Sequence, residues 1–363
     1  MRFHPKGFLL LSLLASACTP RHQPDGVRVP DERSDVSPAR EVASAAGERR
    51  FSKIRQITFG GENAEAYFSP DGKWLTMQST RESRTCDQQY VVRMDGSGLQ
   101  RVSDGRGKTT CGWFFPGGNR LFFASTTAHD SACPPRPDLS KGYVWPLDRY
   151  DIYTVNRDGT NLKRLTKYDV YTAEGVLSPD GRRIVFTSLK DGDLDIYTMN
   201  TDGSDVRRLT TTPGYDGGAW WSPDGKRIVY RANHPTDSTE LREYRDLLAQ
   251  RLVRPRRVEL FVMNADGSDQ RQITRLGGAN FGPSWTPDGK QIVFSSNYRN
   301  PRGGNFDLYL VNSDGSGLEQ LTFDASFDGF PMFSPDGTKV VWASNRGAVK
   351  EGETNLFVAD WVR

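Results

Sequence analysis

The chain has 363 residues, of which 36% are hydrophobic and 26% are charged. This composition is typical of a folded globular protein and excludes a chain that is disordered throughout. The 48 Lys and Arg residues nearly balance the 45 Asp and Glu residues, giving a formal net charge of +3, so charge gives no indication of nucleic-acid binding.

Residues 1–18 have the anatomy of an export signal. Arg2 and Lys6 precede an apolar run, Phe8 to Leu14, that is too short to span a bilayer. Small residues and Cys18 follow, and this stretch resembles a bacterial lipobox, in which the cysteine is lipidated. Two outcomes stay open: lipidation of Cys18, which tethers the chain to a membrane, or cleavage that leaves a free thiol. We expect a periplasmic or outer-membrane-anchored protein, with the membrane contacted only through such an anchor.

Residues 19–50 are predicted to form a disordered linker. Proline, charged residues, Ser and Ala dominate this stretch, and almost no apolar residue recurs in it. We therefore expect the folded domain to span residues 51–363.

A turn motif of the form Ser-Pro-Asp-Gly recurs along this domain. Pro presets the first φ angle of the turn, and Gly tolerates the positive φ that follows. The β-branched and aromatic runs after each turn are typical of strands. The copies begin at Ser69, Ser178, Ser222, Thr286 and Ser334, with a degenerate copy at Phe115.

Each unit continues with a variable loop, a third strand and a short fourth strand. Four short strands with a period of about 45 residues are typical of one propeller blade. Six units predict an all-β fold, a six-bladed β-propeller. The last unit ends after its third strand near Val358, whereas Ile54 to Thr58 matches the missing fourth strand. We predict that this N-terminal strand closes the last blade and removes both free edges of the ring.

The residue before each turn motif is bulky and apolar, which predicts that it packs between neighbouring blades. This row consists of Phe68, Phe114, Leu177, Trp221, Trp285 and Phe333.

Two long inserts, 126–149 and 234–257, are predicted on the face that carries the second-to-third loops and the blade crossovers. The second insert has apolar residues at helical spacing, which predicts a short amphipathic helix capped by Ser238 or Thr239. Its apolar stripe either packs on the propeller or meets a partner. The stripe consists of Leu241, Tyr244, Leu247, Leu248 and Leu252.

Polar residues at the start of the innermost strands are expected to rim the central channel. We take six of them as candidate partner-binding residues at the channel mouth: Asp216, Asp328, Glu174, Glu65, Asn280 and Asn63. Two interpretations compete. In one, these side chains fill a wet channel and cap backbone groups; in the other, they form a funnel for a cation or the basic end of a peptide.

Three cysteines, Cys86, Cys111 and Cys133, are predicted on the same face. An exported protein can hold disulfides, and three thiols allow one bridge, for which Cys86 with Cys111 is preferred. His129 and His234 are the only histidines of the predicted domain, and no Cys-x-x-Cys pair occurs, so no metal site and no cofactor are predicted.

The pattern from Ser178 to Thr210 (Ser-Pro-Asp-Gly, then Asp-Ile-Tyr-Thr-Met-Asn, then Arg-Arg-Leu-Thr) resembles the propeller domain of TolB-like proteins. The resemblance covers about residues 51–363. TolB-like proteins are periplasmic and act by binding. The resemblance therefore implies a monomeric, non-enzymatic propeller that binds an envelope protein or peptide.

Enzymatic alternatives fit the sequence less well. Propellers of the prolyl oligopeptidase kind accompany a hydrolase domain with a Gly-x-Ser-x-Gly elbow, and no such elbow occurs. Lyases of oligogalacturonides hold a metal with several histidines, whereas the predicted domain contains His129 and His234 alone. The alternative that stays open is a periplasmic propeller that binds a carbohydrate or small ligand, including a hydrolytic version that uses Asp216, Glu174 and Asp328.

Overall fold

The computed structural model describes residues 38–140 and 142–363. The predicted signal peptide, Cys18 and the first part of the predicted linker lie outside these residues. Six antiparallel sheets make up the described part of the chain, apart from one short helix and a two-stranded ribbon. Among the described residues, no helix is long and apolar enough to cross a membrane.

The sheets are the blades of a β-propeller. From the N-terminus the strands are β1 (Arg40–Glu41) and β2 (Phe51–Gln56), then in blade 1 β3 (Glu62–Phe68), β4 (Trp74–Thr80), β5 (Gln88–Arg93) and β6 (Gln100–Arg101). Blade 2 and its insert contain β7 (Thr109–Phe114), β8 (Arg120–Ser125), β9 (Trp145–Pro146), β10 (Asp151–Asn156) and β11 (Lys163–Arg164). Blade 3 contains β12 (Thr172–Leu177), β13 (Arg183–Ser188), β14 (Asp195–Asn200) and β15 (Arg207–Arg208).

The second half of the ring repeats this order. Blade 4 and its insert contain β16 (Tyr215–Trp221), β17 (Arg227–Asn233), α1 (Ser238–Ala249), β18 (Leu252–Val253), β19 (Glu259–Asn264) and β20 (Arg271–Gln272). Blade 5 contains β21 (Asn280–Trp285), β22 (Gln291–Ser296), β23 (Asp307–Asn312) and β24 (Glu319–Gln320), and blade 6 contains β25 (Asp328–Phe333), β26 (Lys339–Ser344) and β27 (Asn355–Trp361). The innermost strands contact one another in the order β3, β7, β12, β16, β21, β25 and back to β3, so they surround a common axis.

The N-terminal strand closes the ring, as predicted. β2 pairs antiparallel with β27, with Gln56 opposite Phe357, so it is the fourth strand of blade 6. Gln56 Nε2 donates to the Thr58 carbonyl at 2.9 Å. The authentic fourth strand of blade 4 makes the same bond, from Gln272 to Thr274, at 2.8 Å.

Residues 38–50, which the sequence analysis assigned to the linker, belong to the folded domain. β1 adds a fifth strand to blade 6 by pairing with β2, and the Glu48 carboxylate is buried where it accepts a bond from Arg346 Nη1 at 3.1 Å. The predicted linker therefore extends too far, because residues 38–50 pack on the propeller. One buried acid with a basic partner some 300 positions away along the chain leaves no local pattern in the sequence.

The repeated turn motif forms a local hydrogen-bond network. In blade 3, Ser178 Oγ donates to Asp180 at 2.6 Å and accepts from the Arg183 backbone N–H at 2.9 Å. The Ser178 bond holds the pKa of Asp180 below its ordinary value. The side chain thus fixes the entry into the second strand in addition to the turn chemistry of Pro and Gly. The equivalent bonds begin at Ser69, Ser222, Thr286 and Ser334.

The bulky residues before the turns pack between blades, as predicted. All six are buried, and each belongs to a cluster that contains residues from its own blade and the preceding one. Trp285 of blade 5, for example, packs with Val229 and Val262 of blade 4, and its Nε1–H donates to the Trp220 carbonyl at 3.2 Å. The core is therefore a ring of interfaces between blades.

The predicted helix is confirmed as α1, but its cap is not. Asp237 is the N-cap, and its carboxylate accepts from the backbone N–H groups of Thr239 and Glu240 at 2.7 and 2.9 Å. An ionised carboxylate at this position also meets the positive end of the helix dipole. Tyr244 is buried against the propeller, where its hydroxyl donates to the Gly214 carbonyl at 2.7 Å. The stripe thus packs on the ring at this residue.

The disulfide joins Cys86 and Cys133, whose Cα atoms are 5.7 Å apart. It ties the second-to-third loop of blade 1 to the insert of blade 2. Cys111 is a free, buried thiol, so the preferred pairing of Cys86 with Cys111 is wrong. The reason is that Cys111 lies within the innermost strand β7 and not in the loop before it.

Candidate functional site

Each innermost strand is interrupted by a β-bulge near its start. Register shifts mark the bulge in all six blades, and the bulged residue has φ between +50° and +59°. We call these six positions the bulge ring: Glu65, Cys111, Glu174, Gly218, Gly282 and Phe330. All six line one cavity at the propeller axis, which we call the cup. Four of them are not glycine, although positive φ is unfavourable for residues with a side chain.

Glycine at the fourth position of the ring makes room for an arginine. A Cβ on Gly218 would lie 2.9 Å from Cζ of Arg231, a residue of β17. The Arg231 guanidinium therefore takes the place that a side chain from the bulge ring would fill.

Arg231 and Glu174 form a satisfied ion pair inside the cup. Arg231 donates through Nη2 to Glu174 and through Nε to the Tyr215 hydroxyl, the latter at 2.6 Å. The other Glu174 oxygen accepts from Thr187 Oγ1 at 2.7 Å and from the Gly218 N–H at 2.9 Å. The side chains of Arg231 and Glu174 are 8% and 14% exposed, so water screens this pair little.

Glu65 makes no such ion pair within the described part of the chain, although, against the larger effect of burial, the Arg231 charge lowers its pKa. Its Oε2 is buried and finds no hydrogen-bond partner among the described residues, while the Cys111 thiol hydrogen-bonds to the carboxylate. Burial raises the pKa of Glu65 to about 7, the Cys111 bond opposes this rise, and the negative charge of Glu174 adds to it. Burial also raises the pKa of Cys111 well above its ordinary value, so its thiol is neutral and a poor nucleophile at pH 7.

Three aromatic side chains pack together below the cup, and two of them, Tyr67 and Trp220, form its floor. Tyr67, Trp113 and Trp220 each lie two residues beyond the bulge in their strands, towards the turn motifs. Their ring centroids are 5.4 Å apart for Tyr67 and Trp113, 5.3 Å for Tyr67 and Trp220, and 4.9 Å for Trp113 and Trp220. This mutual packing closes the channel on the turn side, so the cup faces the side of the crossovers and inserts.

Four phenylalanines from blades 5 and 6 lie at one side of the cup. We call them the phenylalanine rim: Phe281, Phe306, Phe327 and Phe330. Phe281 touches each of the others, with centroid distances of 4.8 Å to Phe306, 5.2 Å to Phe330 and 6.3 Å to Phe327. Phe306, Phe327 and Phe330 are only partly buried, so the rim offers apolar surface beside the acidic cup.

The two long inserts join over the opposite side of the cup. β9 pairs with β18, which brings Trp145 over the Arg231 guanidinium, 5.0 Å from the ring centroid. Three arginines at the end of the second insert pair with acidic residues of α1: Arg254 and Arg256 each meet Glu243 at 3.2 Å, and Arg257 contacts Glu240. These three arginines thus already have acidic partners on the helix.

Comparison with known proteins agrees with this architecture. The family model for the N-terminal β-propeller domain of tricorn protease matches residues 131–247. A solved structure described as a putative TolB from Agrobacterium tumefaciens superposes with a TM-score of 0.56 at 20% identity, covering 85% of this chain and 97% of that one. The domain therefore has the fold of a TolB-like β-propeller.

The likeness to solved structures establishes the fold alone. A manganese complex of an oligogalacturonate lyase matches this propeller with a TM-score of 0.53 at 15% identity, covering 90% of this chain and 97% of that one. An uncharacterized protein of Agrobacterium fabrum is 31% identical over 140 residues, which is 36% of this chain and 42% of the relative. The match thus spans less than half of that relative's length.

The propeller buries four of the six residues that the sequence suggested for the channel mouth. Asn63, Asp216, Asn280 and Asp328 have 0% exposure and bond within or between blades. Asp328 accepts from Arg346 at 2.9 Å and from Trp342 at 3.1 Å. The expectation that these four residues rim the channel is therefore wrong. They lie near the starts of their strands, and their side chains point into the interfaces between the sheets. Thr109 and Thr172 are buried in the same way.

Glu65 and Glu174, by contrast, do lie in the cup, because the bulge turns their side chains towards the axis. Sequence reasoning missed Arg231, the place of Cys111 and the phenylalanine rim. The sequence does carry a signal for the bulge ring. When the six units are aligned on the buried polar residue near the start of each innermost strand, the residue two positions later is Glu, Cys, Glu, Gly, Gly and Phe in turn. The described residues contain no cluster of three His, Cys, Asp or Glu side chains suited to a metal ion.

Proposed function

We propose that this protein is an exported, non-enzymatic propeller of the bacterial cell envelope that binds a protein partner through the cup and the insert face. One observation carries the proposal: a carboxylate oxygen of Glu65, without a hydrogen-bond partner among the described residues, lies beside the partly exposed phenylalanine rim. Hot spots of protein interfaces lie in well-packed, desolvated pockets, and a buried carboxylate oxygen beside apolar surface offers a partner a polar contact in such a pocket.

The surroundings of the cup favour a macromolecular partner. Aromatic residues are enriched in the centres of protein interfaces, and the rim supplies four from two blades. The first insert adds Leu139 and Tyr143, which are 50% and 64% exposed. Together they extend the apolar surface beyond the cup, as a protein interface of ordinary size requires.

Export is supported by the residues and by the disulfide. The bond between Cys86 and Cys133 is of the kind that persists in an oxidising compartment such as the periplasm. The signal-like residues 1–18 agree with this location. Binding by TolB-like proteins, known from the family resemblance, supports a role without catalysis.

A second candidate function is a small-ligand propeller with hydrolytic activity. It is favoured by the pKa of Glu65, which burial raises to about 7, a value suited to a general acid or base. Asp216 and Asp328 cannot serve this function as the sequence suggested, because they are fully buried. Glu65 and Glu174 would be the acid pair in their place.

Affinity capture from envelope extracts separates the two functions. The baits are the wild type, Phe327→Ser in the rim, and Leu318→Ser as a matched control. Leu318 is also apolar and is 38% exposed, but it follows a third-to-fourth turn on the opposite face. We expect Phe327→Ser to lose a protein that wild type and Leu318→Ser both retain.

Two results would overturn the proposal. If Phe327→Ser and Leu318→Ser lose the captured protein to the same extent, the binding site does not lie on the cup face. If wild type retains no protein while oligosaccharides raise its melting temperature, the small-ligand function replaces the proposed one.

A further inference from the structure

The cup contains one more negative than positive side chain. Glu65 and Glu174 both line it, and Arg231 is the basic side chain among the described residues that line it. Arg231 is committed to Glu174 and Tyr215. Glu65 is therefore left with a thiol hydrogen bond on its carboxylate and, within the described residues, with nothing on Oε2.

An uncompensated carboxylate in such a place is costly, since few water molecules solvate it. A buried polar atom that is left without a partner destabilises the folded protein. A ligand that supplies a donor to Oε2 regains this free energy on binding. A positive donor regains more, because the local dielectric constant is low.

The walls of the cup suit an apolar stem. Phe330 is the member of the bulge ring that belongs to the phenylalanine rim, and Tyr67 and Trp220 line the floor. The faces of these rings carry negative electrostatic potential, which attracts a cation, and their area covers methylene groups.

We infer that the cup binds a cation at the end of an apolar stem, namely a lysine or arginine side chain, with its charged head on Oε2 of Glu65. That this side chain belongs to a protein partner rests on the proposed function. The cation site itself rests on the geometry of the cup.

The binding should depend on pH through Glu65. The titratable and charged groups around Glu65 come from several elements: Cys111 from β7, Glu174 from β12, Arg231 from β17, Asp87 just before β5, Tyr150 just before β10 and Tyr67 on its own strand. A cation that prefers the ionised carboxylate must, by linkage, lower the pKa of Glu65. Tenfold tighter binding to the ionised form corresponds to a fall of about one pKa unit.

The test uses two small probes and the full chain. Butylguanidinium carries the cation, and butylurea is its neutral counterpart of nearly the same shape. NMR of protein labelled with ¹³C at glutamate carboxylates reports the titration of Glu65. We expect butylguanidinium to lower the Glu65 pKa by about one unit or more and butylurea to leave it unchanged.

Two variants complete the design. Glu65→Gln should bind both probes equally weakly. Glu82→Gln is the matched control, because Glu82 also has positive φ but is exposed and distant from the cup; it should bind like wild type. Melting temperatures check that both variants are folded. The inference is overturned if both probes shift Glu65 equally, if neither shifts it, or if Glu65→Gln still distinguishes them.

These outcomes separate the site from the function. If butylguanidinium binds while no envelope protein is captured, the cation site stands and the proposed protein partner fails. If a protein is captured through the rim while the probes leave Glu65 unchanged, the partner stands and the cation site fails.

Discussion

Replacing Ile54 with Ala tests whether the N-terminal strand holds the ring closed. Ile54 has no exposed surface and packs with Trp342 and Phe357 of blade 6 and with Val293 and Leu308 of blade 5. Truncating a buried isoleucine to alanine costs about 2–5 kcal/mol, because transfer free energy is lost and a cavity remains. We expect the upper half of this range, since Ile54 lies between two blades whose packing depends on the closing strand.

The measurement is urea unfolding followed by far-ultraviolet circular dichroism and tryptophan fluorescence. Val349→Ala is the control, because Val349 is apolar but 88% exposed, and its replacement should change the free energy of unfolding by less than about 0.5 kcal/mol. If Ile54→Ala cost no more than Val349→Ala, the closing strand would not hold the ring.

Deleting the strand gives the larger perturbation. A chain that begins at Gly60 lacks Phe51, Ile54 and Ile57, all buried. Each buried side chain of this size contributes about 1.5–3 kcal/mol. The loss is comparable to the total stability of many domains, about 5–15 kcal/mol, so we expect no cooperative unfolding transition from the truncated chain.

Three further predictions concern the disulfide and the cup. Replacing Cys86 and Cys133 with Ser should lower the free energy of unfolding by about 2–4 kcal/mol, measured in urea, since the bridge closes a long loop. Gly218→Ala should cost about 1–3 kcal/mol more than Gly192→Ala; both have positive φ, but the new Cβ meets Arg231 only at 218, and at 192 it meets no described atom within 4 Å. As the pH rises from below 4.5 through about 7, the free energy of unfolding of wild type should fall by roughly 3 kcal/mol relative to that of Glu65→Gln. The reason is that burial raises the pKa of Glu65 from 4.5 to about 7 in the folded chain, which therefore binds this proton more tightly than the unfolded chain. Urea unfolding of both proteins at pH 4.5, 6 and 8 tests this, and parallel curves would contradict it.

The propeller could be predicted because its information is local and repeated. Ser178, Pro179, Asp180 and Gly181 define a turn by their own chemistry, and five copies with one degenerate copy give the blade count. The closing strand was predictable for the same reason, since Ile54 to Thr58 carries the pattern of a fourth strand.

The cup could be predicted only in part, because a bulge reverses which side chains face the axis. One extra residue in a strand moves every later side chain to the other face. Asn63 and Glu65 therefore have opposite surroundings although they lie two residues apart. Arg231 comes from a second strand and enters the cup only because Gly218 lacks a side chain, a relation between two strands that neither segment reveals.

The central claim is that the cup face binds a protein. A photo-crosslinking amino acid in place of Phe327, beside the cup, or in place of Leu318, on the opposite face, tests it in intact cells. The account predicts that the same envelope protein becomes crosslinked through position 327 and not through position 318. Crosslinking of that protein through position 318 alone would contradict the account.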